Sequence, residues 1–302
     1  MSEIKNFDSI IIGGSYAGLS AAMSLGRSLK NVLVIDSGKP CNQQTPHSHN
    51  FLTRDGQTPD EISSVARHQV EQYDTVSFLD DLAVAGKNIT GGFQIETKSG
   101  ALYKAKKLIF ATGIKDELPD IPGFKECWGI SVIHCPYCHG YEFRNKRTGI
   151  FANGDKAFHL ASLVNNLTED LTLLTNGSHL FDEDQFHKLK KNNIRIIEAE
   201  LDSIKHQNGH LEKISFKDGS ELELSALYAA VSFTQHSEIP AMLNCAISDH
   251  GHIEVDHFQK TTVPGIYACG DNSSPLRSIS NAVLTGSVAG IMINMELTNE
   301  RF

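Results

Sequence analysis

The sequence predicts an α/β protein with two similar nucleotide-binding-type units, and three observations predict it. The first forty residues hold a short apolar β-type run, a glycine turn, a helical pattern and a second apolar run. A degraded copy of that pattern lies 139 residues downstream without a gap. The 302 residues, 40% hydrophobic and 21% charged, suffice for two ordinary domains with their own cores.

Composition also excludes classes. The apolar content rules out a disordered chain. No apolar run reaches the roughly 18 residues of a membrane span, and the polar stretch from Met1 to Asp8 does not read as a signal peptide. A net charge of −9 argues against a general nucleic-acid binder. Six cysteines are too sparse for a secreted disulfide scaffold, so the expected location is the cytoplasm.

In the first unit, Ser9-Ile10-Ile11-Ile12 reads as a strand, Gly13-Gly14-Ser15-Tyr16-Ala17-Gly18 as a turn, and Leu19 to Leu29 as a helix. Val32 to Ile35 reads as the second strand, ending at Asp36. Gly13 permits the tight turn and Gly18 the close packing of helix on strand. Ser15 stands at the usual middle glycine, small enough for a pyrophosphate to approach the helix N-terminus. Asp36, eighteen residues past Gly18, is placed to accept hydrogen bonds from an adenosine ribose. The motif therefore predicts a dinucleotide site.

The second copy keeps the pattern and loses the chemistry. Ala152 replaces the first glycine and Thr175 the acidic ribose partner, and the next charges are Asp182, Glu183 and Asp184 rather than a basic clamp. This copy is a poor site for NAD or NADP. Further along, Leu108 to Gly113 reads as a strand entering a small-residue crossing, and Gly265 to Asp271 as another strand ending in Gly-Asp. A helical stretch runs from Ile279 to Met295.

The chemical centre is His134-Cys135-Pro136-Tyr137-Cys138-His139-Gly140. Two thiols three positions apart at a helix start can close a small disulfide, and the helix end and imidazoles favour a thiolate. Half a zinc site and a purely structural pair are the alternatives. The other cysteines, Cys41, Cys127, Cys245 and Cys269, are scattered singly, which favours redox use. Cys41 and Cys127 read as spectators and Cys269 as a core residue. His47-Ser48-His49 reads as an exposed loop rather than a metal site.

Together these residues resemble the low-molecular-weight thioredoxin reductase family over essentially the whole chain. Cys135 to Glu142, with Thr175-Asn176-Gly177, is most similar to the branch holding dithiol oxidases of gliotoxin-like and holothin-like metabolites and bacterial reductase-like proteins. The resemblance implies two Rossmann-like domains of the three-layer ββα type. A discontinuous FAD domain over 1–115 and 244–302 is interrupted by a smaller, degraded NAD(P)-like domain over 116–243 that carries the C-x-x-C pair.

It implies FAD on the turn Gly13, Gly14, Ser15, Tyr16, Ala17 and Gly18, on Asp36 with Ser37, and on Asn50. It adds Ala111, Thr112 and Gly113 at the crossing, Gly270 and Asp271, and Arg277, Ser278 and Ile279 at the isoalloxazine edge. Cys135 faces substrate, Cys138 faces the flavin, and His139 stands where thioredoxin reductases have an acid/base aspartate; a helix-capping role is its alternative. The Asp271–Arg277 interval is one residue short, and Ser278 replaces a glutamine. The implied enzyme is an FAD-dependent thiol–disulfide oxidoreductase without a competent NADPH site. It would act on a small-molecule or thioredoxin-like thiol/disulfide substrate, as a homodimer, without metal, membrane or nucleic acid. An NADPH-dependent thioredoxin-disulfide reductase and a non-enzymatic flavin or metal module are the rival readings.

Overall fold

The computed structural model describes residues 5–302. Its contacts divide the described chain into two compact units, residues 5–43, 59–115 and 233–302 against residues 44–58 and 116–232.

The first unit is built on a seven-stranded sheet. Val76–Asp80, Val32–Asp36, Asn6–Ile12 and Leu102–Phe110 run parallel in that order, with Ser9 opposite Val32 and Ile12 opposite Phe110. The first half of Leu102–Phe110 pairs antiparallel with Gly92–Thr97, and its second half pairs parallel with Ile266–Ala268. Ile10, Ile11, Val32 and Val34 are fully buried because the sheet is covered on both faces, which is why these strands read as unbroken apolar runs. Each such side chain contributes about 1.5–3 kcal/mol by leaving water.

One covering layer is helical. Tyr16–Arg27 and the final helix Ile279–Asn299 pack so closely that a Cβ on Gly286 would collide with the Ala17 carbonyl, and one on Gly290 would lie 2.7 Å from the Ala21 oxygen. Ser20 Oγ donates to the Val283 carbonyl across this seam at 2.7 Å.

The second unit has a five-stranded sheet ordered Arg195–Ile197, Leu171–Leu174, Thr148–Phe151, Ala226–Ala229 and Val132–Ile133. All its pairings are parallel. One core cluster includes Ile150, Ala157, Ala161 and Leu173; the other joins Phe124, Trp128 and Leu174 to a three-stranded antiparallel sheet around Ile214. The repeat is real as a fold: Thr148–Phe151, the helix Gly154–Val164 and Leu171–Leu174 form a second βαβ unit.

The unit boundaries differ from the sequence expectation in two places. Residues 44–58 group with the second unit because Gln44 Nε2 donates to the Trp128 carbonyl at 2.7 Å and Gly129 packs against Gln44. The return to the first unit comes at residue 233 rather than 244, because Ile239 and Leu243 join the core of Phe7, Ile95 and Phe110. Among the described residues, no helix is long and apolar enough to cross a membrane.

Candidate functional site

In the first unit the strand Asn6–Ile12 ends in a turn that only glycine can make. Gly13 has φ +106°, and a Cβ there would collide with the Ala111 carbonyl. The Gly13 N–H donates to Ile35 O at 2.8 Å, and Ala111 N–H donates to Ile12 O at 2.8 Å, tying the turn to both neighbouring strands. A Cβ on Gly14 would sit 2.8–3.0 Å from Asp36, so the glycine admits the Asp36 carboxylate beside the turn. Ser15 is the N-cap of the helix, yet its side chain makes no capping bond and no acid occupies the first turn. The leading amides and the positive end of the helix dipole are thus offered to an anion. Ser37 is exposed just past Asp36. The Tyr16 side chain is committed elsewhere: it is buried, and its hydroxyl donates to the Pro59 carbonyl at 3.1 Å.

Of the other first-unit residues, Ala111 and Gly270 pack against this turn. A Cβ on Gly270 would lie 3.1 Å from Ala17 Cβ. Gly113 has φ +62° with open space where a Cβ would be, beyond Ala111 and Thr112. Asp271 Oδ2 lies 3.7 Å from Arg277 Nε, with both side chains largely buried. Ser278 caps the final helix, its Oγ accepting the Asn281 N–H at 3.1 Å, and Ile279 is that helix's first residue.

Two residues here escaped the sequence reading. Fully buried Asn272 donates to the Phe110 carbonyl at 2.8 Å and to Thr112 Oγ1 at 3.2 Å, locking the Gly270-Asp271 segment to the crossing. Thr285 accepts the Gly270 N–H at 3.0 Å. The only signal for Asn272 was its place directly after Gly-Asp. Asn50 lies in the second unit; it has φ 60°, and its N–H donates to Asp55 Oδ1 at 2.8 Å.

In the second unit the equivalent helix N-terminus is filled by the chain itself. Asn153 caps Gly154–Val164, its Oδ1 accepting the Gly154 and Leu180 N–H groups at 2.8 and 2.9 Å. Its amide donates to the Ser178 carbonyl at 3.0 Å, which fastens the loop after Thr175 across the turn. Asp155 adds a negative charge in the first turn. Buried Thr175 gives its hydroxyl to the Gly177 carbonyl at 2.7 Å.

The strand Val132–Ile133 of this unit delivers the cysteine pair. Cys135 is the N-cap of the short helix Pro136–His139, with proline at the first helical position. Cys135 and Cys138 form a disulfide, and Cys135 Sγ accepts the Cys138 N–H at 3.2 Å. Gly140 has no room for a Cβ, which would collide with the Pro136 carbonyl and approach the Tyr228 hydroxyl at 3.1 Å.

Burial pushes the His139 imidazole below its usual value of 6.5; charge on His49 pushes the same way, and Glu142 opposes. His49 is not the exposed loop residue expected: its side chain is 22% exposed, with Nε2 3.6 Å from Glu142 Oε1 and Nδ1 3.7 Å from Asp55. The remaining buried cysteines are poorly reactive, since burial raises the thiols of Cys127, to about 11, Cys245 and Cys269. Among the described residues no group of three or more His, Cys, Asp or Glu is arranged to hold a metal.

A dinucleotide-type fold with an uncapped glycine turn, joined in one chain to a C-x-x-C disulfide, defines a flavin-type disulfide oxidoreductase. The chain belongs to the pyridine nucleotide-disulphide oxidoreductase family, whose model matches residues 7–286. It is 32% identical to "Thioredoxin reductase tcpT" of Claviceps purpurea, over 98% of this chain and 96% of that one. Among solved structures it is similar to an oxidoreductase from Agrobacterium tumefaciens (37% identity, 97% and 99% of the two chains, TM-score 0.91). It is likewise similar to HlmI (28% identity, 98% and 94%, TM-score 0.92). The protein is thus a thioredoxin reductase-like enzyme, and the family implies FAD. The first unit fits that group: the missing Cβ atoms make the cradle, and the helix amides and Asp36 supply anion and hydroxyl partners.

Proposed function

We propose that this enzyme closes disulfide bonds in dithiol substrates, using Cys135–Cys138 and FAD, with no nicotinamide nucleotide held by the second unit. The observation that carries the reading is the contrast between the two helix N-termini. The first is uncapped and free of acid, whereas the second is capped by Asn153, crossed by the loop at Leu180 and made negative by Asp155. A pyrophosphate entering there would have to displace those bonds and face a like charge.

The chemistry FAD would supply when bound is two-electron acceptance from the reduced cysteine pair, with O₂ or another acceptor as the final oxidant. Gly13 to Gly18, Asp36 and Ser37 would hold its adenosine and pyrophosphate. Ala111 to Gly113, Gly270, Asp271, Arg277, Ser278 and Ile279 would hold the rest, and the family resemblance assigns Asn50 to the cofactor as well.

The chain's own chemistry is thiol–disulfide exchange. A substrate thiolate attacks Cys135 Sγ, the Cys135–Cys138 bond breaks, and Cys138 leaves. The second substrate thiolate then attacks its own mixed sulfur and expels Cys135. Two electrons and two protons pass from substrate to cysteines. His139, kept neutral by burial, takes and returns the protons.

Relatives bearing the name thioredoxin reductase favour the reverse direction, NADPH-fed reduction of a thioredoxin-like protein. Stopped-flow mixing of the anaerobic yellow enzyme with NADPH, and separately with dithiothreitol, decides between them. Dithiothreitol is expected to bleach the flavin and NADPH to leave it; rapid bleaching by NADPH overturns the reading. We also read the protein as a cytoplasmic homodimer, as the family resemblance implies.

A further inference from the structure

Asp271 lies between two pinned backbone positions. On one side the Gly270 N–H is held by Thr285 Oγ1 at 3.0 Å. On the other, the Asn272 carbonyl accepts two hydrogen bonds, from the Ile253 N–H at 2.8 Å and from Gln235 Nε2 at 2.9 Å. The second N–H of the Gln235 amide goes to the Gly251 carbonyl at 2.8 Å. One carboxamide thus spends both protons on backbone oxygens 16 and 37 residues further along the chain. Its own Oε1 is buried and accepts nothing among the described residues, so the side chain serves as a donor alone. Gln235 ends the strand Ser232–Gln235, on which the chain returns to the first unit. Side chains two apart share a face of a strand, and Phe233 sets its ring 4.8 Å from that of His252, in the same 251–253 segment. Asn272 repeats the pattern: fully buried, it gives both amide protons, to Phe110 O and Thr112 Oγ1. Two carboxamides in series therefore join the return strand to the crossing, and Asp271 is carried on the link.

We propose that Gln235 is a positioning residue of the cofactor site: it fixes the Asn272 peptide and, through it, the Asp271 side chain that meets FAD. A carboxylate gains nothing from its charge beside an anionic cofactor. It can only accept hydrogen bonds from hydroxyl groups, and those weaken steeply once distance and angle stray. A loose Gly270-Asp271-Asn272 segment would have to be ordered at the moment of binding, whereas a pinned one presents the carboxylate without that cost. Arg277 Nε, 3.7 Å from Asp271 Oδ2, steadies the same carboxylate from its side-chain end.

The inference rests on the reading of Asp271 as an FAD ligand, and the test separates the two. Full-length apoprotein is titrated with FAD, binding being read from the change in flavin fluorescence, in the parent, Q235M, D271N and the double variant. Q235M keeps the length of the side chain and removes its donors. It is expected to weaken FAD about tenfold in the parent, on the scale of lost hydrogen bonds. In D271N, where the carboxylate it positions is gone, the same change is expected to cost less than about twofold. An equal factor in both backgrounds, the mark of general loosening, overturns the proposal, as does undiminished binding by Q235M. A parent apoprotein that takes up no FAD overturns the cofactor reading instead. Hydrogen exchange of the parent needs no variant: the Ile253 and Gly270 amides are expected to be protected before FAD is added, and protection that arises only with FAD overturns the proposal.

Discussion

Replacing Gly286 by alanine tests how the final helix is seated on the glycine turn. An added Cβ would overlap the Ala17 carbonyl oxygen and stand 2.8 Å from its carbon and 3.0 Å from Ala17 Cα. Comfortable carbon–carbon contact is about 3.5–4.0 Å, so one helix must retreat by roughly 1 Å. The obstacle is backbone, which cannot swing aside. Such overpacking costs about 1–3 kcal/mol. A retreat also stretches the 2.7 Å bond from Ser20 Oγ to Val283 O, worth about 1 kcal/mol. Against this, alanine in a helix interior is favoured over glycine by about 1 kcal/mol. The clash wins, and the net loss is about 1–3 kcal/mol. For a unit of this size that lowers Tm by roughly 2–12 °C, about 2–4 °C for each kcal/mol, read by thermal melting of the FAD-loaded protein at fixed FAD. FAD should also dissociate faster, because Ala17 lies within the turn. The sign is the discriminating feature: a G286A protein that melts at or above the parent temperature would mean that propensity acts unopposed, and that the helices do not meet as described.

Asp36→Ala removes a carboxylate beside the turn; losing about 2 kcal/mol of charged hydrogen bonding weakens FAD about 30-fold, and an unchanged titration of apoprotein by flavin fluorescence would reject that role. Burial alone would raise Glu296, but Lys260 and Lys107 outweigh it and bring the carboxyl down to about 2. A depressed carboxyl stabilises the fold above the ordinary value of 4.5, and that contribution is lost as pH falls from there toward about 2. Lys107→Met should therefore cost about 1–2 kcal/mol at pH 7, discounted for partly exposed carboxylates, and almost nothing near pH 2; equal losses at both pH values would refute the ion-pair account. Because burial lowers His139, the imidazole stays neutral to lower pH than usual, so the acid limb of disulfide opening should fall below 6.5. A limb above 6.5 would show that another group carries the proton.

Both βαβ units were legible because their strands are buried on two faces and their turns demand glycine or a cap, which are local constraints written in adjacent residues. Ile10 to Ile12 announces itself as an apolar run. The cysteine pair was legible for a similar reason, since three-residue spacing at a helix start is what closes the disulfide. Asn272, Thr285 and His49 were not legible as site residues. Their partners lie far along the chain: Asn272 reaches back 162 residues to Phe110, and His49 meets a glutamate carried by the cysteine motif.

By itself, then, the sequence determined the two-unit α/β architecture, the glycine turn with its carboxylate, and the redox pair, all features in which neighbours in the chain are neighbours in space. Only the tertiary structure decided that residues 44–58 group with the unit that carries the cysteines and that Asn153 and the loop at Leu180 close over the second helix N-terminus. The final helix belongs to the same group, since its glycines fit the carbonyls of Ala17 and Ala21. Those arrangements depend on which distant surfaces fit together without voids or unpaired polar groups, and no short stretch of residues encodes that fit.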